Sequence, residues 1–126
     1  MQVRDHNACP TKTASVIPVS SAARIAALND ALRRHRTGGR LFLTPGVARM
    51  GKEAITMVLA TVAAFTAFTD DNNPHSEHDF GEFEHDGVRL FWKIDYYDTG
   101  LRCGSPDPAN PAVTTRVLTI MLANEY

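Results

Sequence analysis

Between Asp70 and Asp98 the chain gathers the groups with which a protein does chemistry: His75, His78, Asp79, His85 and Asp95, beside Phe91, Trp92, Tyr96 and Tyr97. Imidazole nitrogens and carboxylate oxygens a few residues apart are what a borderline divalent transition metal binds. One candidate is therefore a metal-dependent hydrolase on His75, His78, Asp79 and Asp95. The spacing His75-x-x-His78-Asp79 lacks the helical frame of an HExxH site, because Pro74 and Gly81 oppose a helix there. In a strand, His78 and Asp79 point to opposite sides, so Asp95 must come from a neighbouring strand to complete the set. A His78–Asp95 pair joined by Glu82 is also a candidate acid/base dyad. It has Ser76 as its nearby hydroxyl but no Gly-x-Ser-x-Gly elbow to make a nucleophile.

The same stretch supports a second chemistry, which is recognition. Its acids are Asp70, Asp71, Glu77, Asp79, Glu82, Glu84, Asp86, Asp95 and Asp98 against Arg89 and Lys93, a formal balance of −7. The first 69 residues carry nine bases and three acids, so the net charge of −1 conceals a polarised chain. Such a distribution steers charged partners or draws the two halves together. Aromatic rings beside carboxylates suit a protein contact surface, the rings supplying area and the acids steering. The preferred function is thus a non-catalytic protein-interaction module, with Glu82, Glu84, Phe91 and Tyr97 receiving a basic protein and no cofactor required. Nucleic acid is not the expected partner: the bases near Arg33, Arg34 and Arg36 fan around a helix, lack interleaved aromatics, and suit a helix C-terminus.

These residues must be positioned by short elements. Ser20 or Ser21 caps a helix of about four turns in which Ile25, Leu28, Ala31 and Leu32 recur at helical spacing, until Gly38-Gly39 stops it. Arg40–Leu43 reads as a short strand, and Thr44-Pro45 as the start of a brief helical turn. Ile55, Val58, Leu59, Val62, Phe65 and Phe68 mark a buried helix from about Gly51 to Thr69. Asp86-Gly87 predicts a two-residue hairpin turn. That turn sets Glu84 opposite Arg89, Phe83 opposite Leu90, and Gly81 opposite Trp92, where the glycine leaves room for the indole. Phe83, Leu90, Trp92, Ile94 and Tyr96 then share a core side, while Glu82, Glu84, Arg89 and Lys93 share the other, with His78 beside Asp95. After a turn-rich loop from Thr99 to Pro111, Thr114–Leu122 is a final strand, apolar enough on both sides to be central.

The fold expected is α+β: two main helices on one face of an antiparallel sheet, made of the hairpin and the C-terminal strand with the 40–43 strand as a further member. Residues 1–19 form a poorly ordered N-terminal segment and 20–126 a single domain. The longest apolar stretch, Ile55 to Phe68, is interrupted by Thr56, Thr61 and Thr66 and is too short to span a bilayer. With no apolar leader in the first 19 residues, a soluble cytoplasmic protein is expected. Cys9 and Cys103 are accordingly expected as reduced thiols rather than a disulfide. An open sheet edge leaves room for a homodimer.

The blocks DNNPHSEHDFGEF, FWKIDYYD, CGSPDPANP and TTRVLTIMLANEY, with TGGRLFLTPGV ahead of them, resemble the signature blocks of a small bacterial domain-of-unknown-function family, number 3768. The resemblance spans about Ile25 to Tyr126. It implies a single cytoplasmic bacterial domain and no assigned activity. It also directs attention to His75, His78, Asp79, Trp92, Asp95 and Asp98 without giving any of them a role. Company with plasmid or other mobile-element genes is a further implication, and favours an accessory inhibitor or adaptor over a metabolic enzyme.

Overall fold

The computed structural model describes residues 19–126, with side chains from Ser21 onward; the N-terminal segment apart from Val19 lies outside the described residues. Helix α1 spans Val19–His35 and buries Ile25, Ala26, Asn29, Leu32 and Arg33, a stripe at three- and four-residue spacing. It closes where Arg36 turns left-handed at φ 55° and its N–H donates to the Leu32 carbonyl at 2.8 Å. Strand β1 spans Arg40–Leu43, the short helix α2 Pro45–Ala48, and α3 Lys52–Ala64. The hairpin is β2, Phe80–His85, and β3, Val88–Tyr97; β4 is Thr115–Leu122.

Helix α3 ends at Ala64, five residues before the expected Thr69, because Phe65 takes an extended backbone (φ −62°, ψ 129°). Leaving the helix brings the Phe65 and Phe68 rings edge-on to Trp92, at centroid distances of 5.5 and 6.1 Å. Edge-on aromatic contacts of this kind add about 0.5–1.5 kcal/mol each to simple burial. The helical period of these two phenylalanines coincides with a continued helix but arises from a loop folding back on the same core.

The sheet has the order β1-β4-β3-β2. Asp86 and Gly87 both have positive φ, 50° and 82°, and the hairpin register is the expected one: Glu84 opposite Arg89, Phe83 opposite Leu90, Gly81 opposite Trp92. A Cβ at Gly81 would strike the Trp92 indole and, at 2.7 Å, the Phe65 ring. Strand β4 is antiparallel to β3 but parallel to β1, with Leu41 opposite Leu118 and Leu43 opposite Ile120. The sheet is therefore mixed, not wholly antiparallel. A strand tied to its neighbour by a tight turn must run antiparallel to it, whereas β1 reaches β4 only after two helices and a hairpin, so either direction is open to it. One core joins Ile25, Leu32, Val47, Val58 and Val62 of the helices to Leu90, Trp92, Ile94, Tyr96, Leu118 and Ile120 of the strands. Among the described residues no helix is long and apolar enough to cross a membrane.

Candidate functional site

The pleat sorts the strand residues into two rows. Gly81, Phe83, Leu90, Trp92, Ile94, Tyr96, Leu118 and Ile120 lie on the inner face with the core. Glu82, Glu84, Arg89, Phe91, Lys93, Asp95, Tyr97, Thr119 and Met121 fall on the outer face, joined from β1 by Phe42, which is 55% exposed. Glu82 and Glu84 are exposed, and Arg89 Nε donates to Glu82 Oε2 at 2.6 Å. Phe91 is half-buried, its ring 5.3 Å from Phe80 and 5.1 Å from Tyr126. Lys93 Nζ pairs with Asp95 Oδ2 at 2.7 Å. Tyr97 lies close by, and its phenol is raised above the ordinary tyrosine range by burial and by the Asp95 charge.

Beside the aromatic trio opens a cleft of about 380 Å³. Asp71, His75, Asp79, Lys93 and Asp95 line it, with the Phe80 and Tyr126 rings on its apolar side. Three of the four candidate metal ligands, His75, Asp79 and Asp95, thus meet at one cavity. His78 does not join them. Its backbone is left-handed at φ 57°, as is that of Ser76 at φ 59°, which breaks the pleat that would have set it beside Asp95. The imidazole turns to α1, stacked 4.1 Å above Phe68 with Nδ1 3.0 and 3.2 Å from the two Asp30 oxygens. The expected His78–Asp95 dyad is therefore replaced by a His78–Asp30 pair. Among the described residues no group of three or more His, Cys, Asp or Glu side chains is placed to hold one metal ion. His85 sits at the hairpin tip, 3.6 Å from Asp86.

The loop carrying the cleft wall is wound by its asparagines. Asn72 Oδ1 accepts from Thr69 N at 2.8 Å, and Asn73 Oδ1 accepts from His78 N at 2.9 Å, adding to the backbone bonds from Asn73 N to the Thr69 carbonyl and from Ser76 N to the Asn73 carbonyl. A buried polar layer ties this loop to the rest of the molecule. Tyr96 Oη donates to Glu77 Oε1 at 2.8 Å and accepts from Asn29 Nδ2, which also reaches the Glu77 carbonyl at 2.9 Å. Arg116 Nε donates to Asn29 Oδ1 at 2.8 Å, its Nη2 donates to the Pro108 carbonyl, and its guanidinium lies 5.2 Å from the Tyr96 ring centre. Burial, reinforced by the charges of Glu77 and Asp79, pushes the Tyr96 phenol far above its ordinary range. It stays a neutral donor.

Arg33 holds the other end. Nη1 donates to the Val62 and Phe65 carbonyls at 2.7 and 3.0 Å, capping the C-terminus of α3, and Nη2 donates to Asp30 Oδ1 at 2.6 Å. Burial pushes the Asp30 carboxyl up, but hydrogen bonds from Arg33 and His78 outweigh it and hold the group below its usual range. Neither Arg33 nor Arg116 is distinguished by the sequence reading, which places Arg33 in a surface cluster at the helix end. The available signal is spacing: Asn29 and Arg33 fall four apart on the stripe of Ile25 and Leu32, where a solvated residue does not belong. Cys103 is disulfide-bonded rather than a reduced thiol, and Cys9, the other cysteine of the chain, lies outside the described residues.

A four-stranded mixed sheet, with Glu82, Glu84, Asp95, Phe42, Phe91 and Tyr97 among its outer-row residues, defines a small α+β domain. The chain belongs to the family described as protein of unknown function, DUF3768, whose family profile matches residues 43–125. The match takes in α2, α3, the cleft loop, the hairpin and β4, and begins after most of β1. No curated protein and no solved structure matches the chain.

Proposed function

We propose that this domain is a non-catalytic protein-interaction module whose outer sheet face receives a basic protein partner. The carrying observation is the division of the sheet. Ile25, Leu32, Val58 and Val62 of the two main helices share one core with the inner-row residues Leu90, Trp92, Ile94, Leu118 and Ile120, whereas Glu82, Glu84 and Phe42 of the outer row stay exposed. Glu82 and Glu84 are the exposed steering charges, and Tyr97 lines the same face beside the Lys93–Asp95 pair. Phe91 contributes as one member of a ring trio with Phe80 and Tyr126 rather than as an isolated anchor. Charge complementarity selects the partner, since the segment from Asp70 to Asp98 holds nine acids and two bases.

A metal-dependent hydrolase on His75, His78, Asp79 and Asp95 draws less support, because it needs His78 where the loop does not put it. The test is affinity capture with the wild-type chain and with a Glu82→Lys/Glu84→Lys variant, followed by calorimetry on the recovered protein at two salt concentrations. A basic partner that is bound by the wild type, weakened by salt and lost on charge reversal is expected. Equal affinity of the variant for every recovered partner would overturn the proposal.

A further inference from the structure

Strand β2 is an edge strand: among the described residues it pairs with β3 alone. Its ladder has a readable parity. The Ile94 N–H donates to the Asp79 carbonyl at 2.9 Å, and successive antiparallel pairs alternate between hydrogen-bonded and non-bonded. Gly81, Phe83 and His85 therefore direct their backbone groups to β3, opposite Trp92, Leu90 and Val88. Phe80, Glu82 and Glu84 direct theirs outward, away from the sheet. Among the described residues, those with unclaimed edge groups are thus the same residues whose side chains stand on the outer face.

From this coincidence we infer that β2 is a docking edge for an extended segment of a partner protein, added as a fifth strand, with Lys or Arg at alternate positions. This rests on the interaction reading above and names the shape of its partner. Residues two apart on a strand are about 6.6–6.8 Å apart, so bases at positions i and i+2 of an added strand match Glu82 and Glu84 in register. Arg89 already makes the same kind of contact from the β3 side, with both Nε and Nη2 2.6 Å from Glu82 Oε2. At the Phe80 end the added strand runs toward the cleft lined by Asp71 and Asp79. A second copy of this chain is the wrong occupant: two β2 edges side by side would set Glu82 and Glu84 against their own counterparts, and like charges across strands repel.

The probe is a capped octapeptide of alternating lysine and threonine, titrated into the ¹⁵N-labelled full chain and followed by amide shifts and hydrogen exchange. Two control peptides accompany it: one with the lysines in a block, and one with Nα-methyl-lysine, which keeps every charge but removes the donors facing β2. Slowed exchange at the Phe80, Glu82 and Glu84 amides is expected, with about tenfold or greater weakening by Nα-methylation. Weaker binding is expected also from the block peptide and from a Glu82→Gln/Glu84→Gln variant, whose exposed substitutions leave the ladder intact. Equal binding of the methylated peptide, or shifts confined to the cleft, would overturn strand addition while leaving a charge-steered outer face standing. No binding of the alternating peptide would overturn it as well, the capture experiment then deciding the broader function separately. A dimer of the free protein that protects the same three amides would overturn the assigned occupant.

Discussion

Arg33→Met removes a charge that three elements share. The side chain is fully buried, and the substitution deletes its bonds to the Val62 and Phe65 carbonyls and to Asp30. Methionine keeps much of the aliphatic volume beneath Phe68 and Trp92, so little cavity forms and the loss is chiefly polar. Taking one partner from a buried ion pair costs about 3–5 kcal/mol, because the other is left uncompensated. Here His78 still faces Asp30, which places the cost toward the middle of that range. With a urea slope of about 1.5 kcal/mol/M, a loss of about 4 kcal/mol lowers the unfolding midpoint by roughly 2.7 M. Arg33→Lys keeps the charge without the planar fork and should fall between the two. Urea titration followed by tryptophan fluorescence reads the change directly, since Trp92 is the chain's one tryptophan and lies 4.8 Å from the guanidinium. A midpoint shift below about 0.5 M would refute the claim that Arg33 clamps α1 to the end of α3.

Gly81→Ala places a methyl group against the Trp92 indole and the Phe65 ring, and should cost about 1–3 kcal/mol by overpacking, seen as a lower thermal midpoint. An unchanged midpoint would mean that the rings part easily. Acid titration tests the Asp30 cluster. The carboxyl is held below its ordinary 3.8, so its contribution is complete above that pH and is lost as the pH falls through the folded-state value. Asp30→Asn should therefore be less stable than the wild type at neutral pH, with the gap narrowing below about pH 4. A gap that stays constant down to acid unfolding would contradict the assignment.

Local signals in the sequence carried the elements they could reach. Asp86-Gly87 set the hairpin register down to Gly81 opposite Trp92, and Arg40–Leu43 emerged between its double glycine and Thr44-Pro45. The direction of β1 against β4 was not legible, because 71 residues from Thr44 to Thr114 separate the two strands and no turn couples them. Phe65 and Phe68 continued the period of α3 although both lie beyond it, since a loop that returns to the same core repeats the same spacing. Arg33 stands in a run with Arg34 and Arg36, which are exposed, and burial of one base in a run of bases leaves no compositional trace. On the outer face the exposed positions of Glu82 and Glu84 were legible from register alone, whereas the covering of Phe91 by Tyr126 depended on how the chain turns after Leu122.

The position of His78 bears directly on the ligand set of His75, His78, Asp79 and Asp95. Regular pleating would have carried it to the outer face beside Asp95, on the side opposite Asp79. Left-handed backbone at Ser76 and His78 instead rotates the imidazole through the plane of the sheet to Phe68 and Asp30. Such conformations are costly for residues with side chains, so the loop must be compensated for them. The compensation is visible: Asn73 binds the His78 amide, Asp30 binds its ring, and Glu77 one residue earlier accepts from both Tyr96 and Asn29. The histidine is thereby spent on fastening the loop to α1. The cleft wall that remains carries Asp71, His75, Asp79 and Asp95 beside Lys93, and it adjoins the Phe80 end of β2.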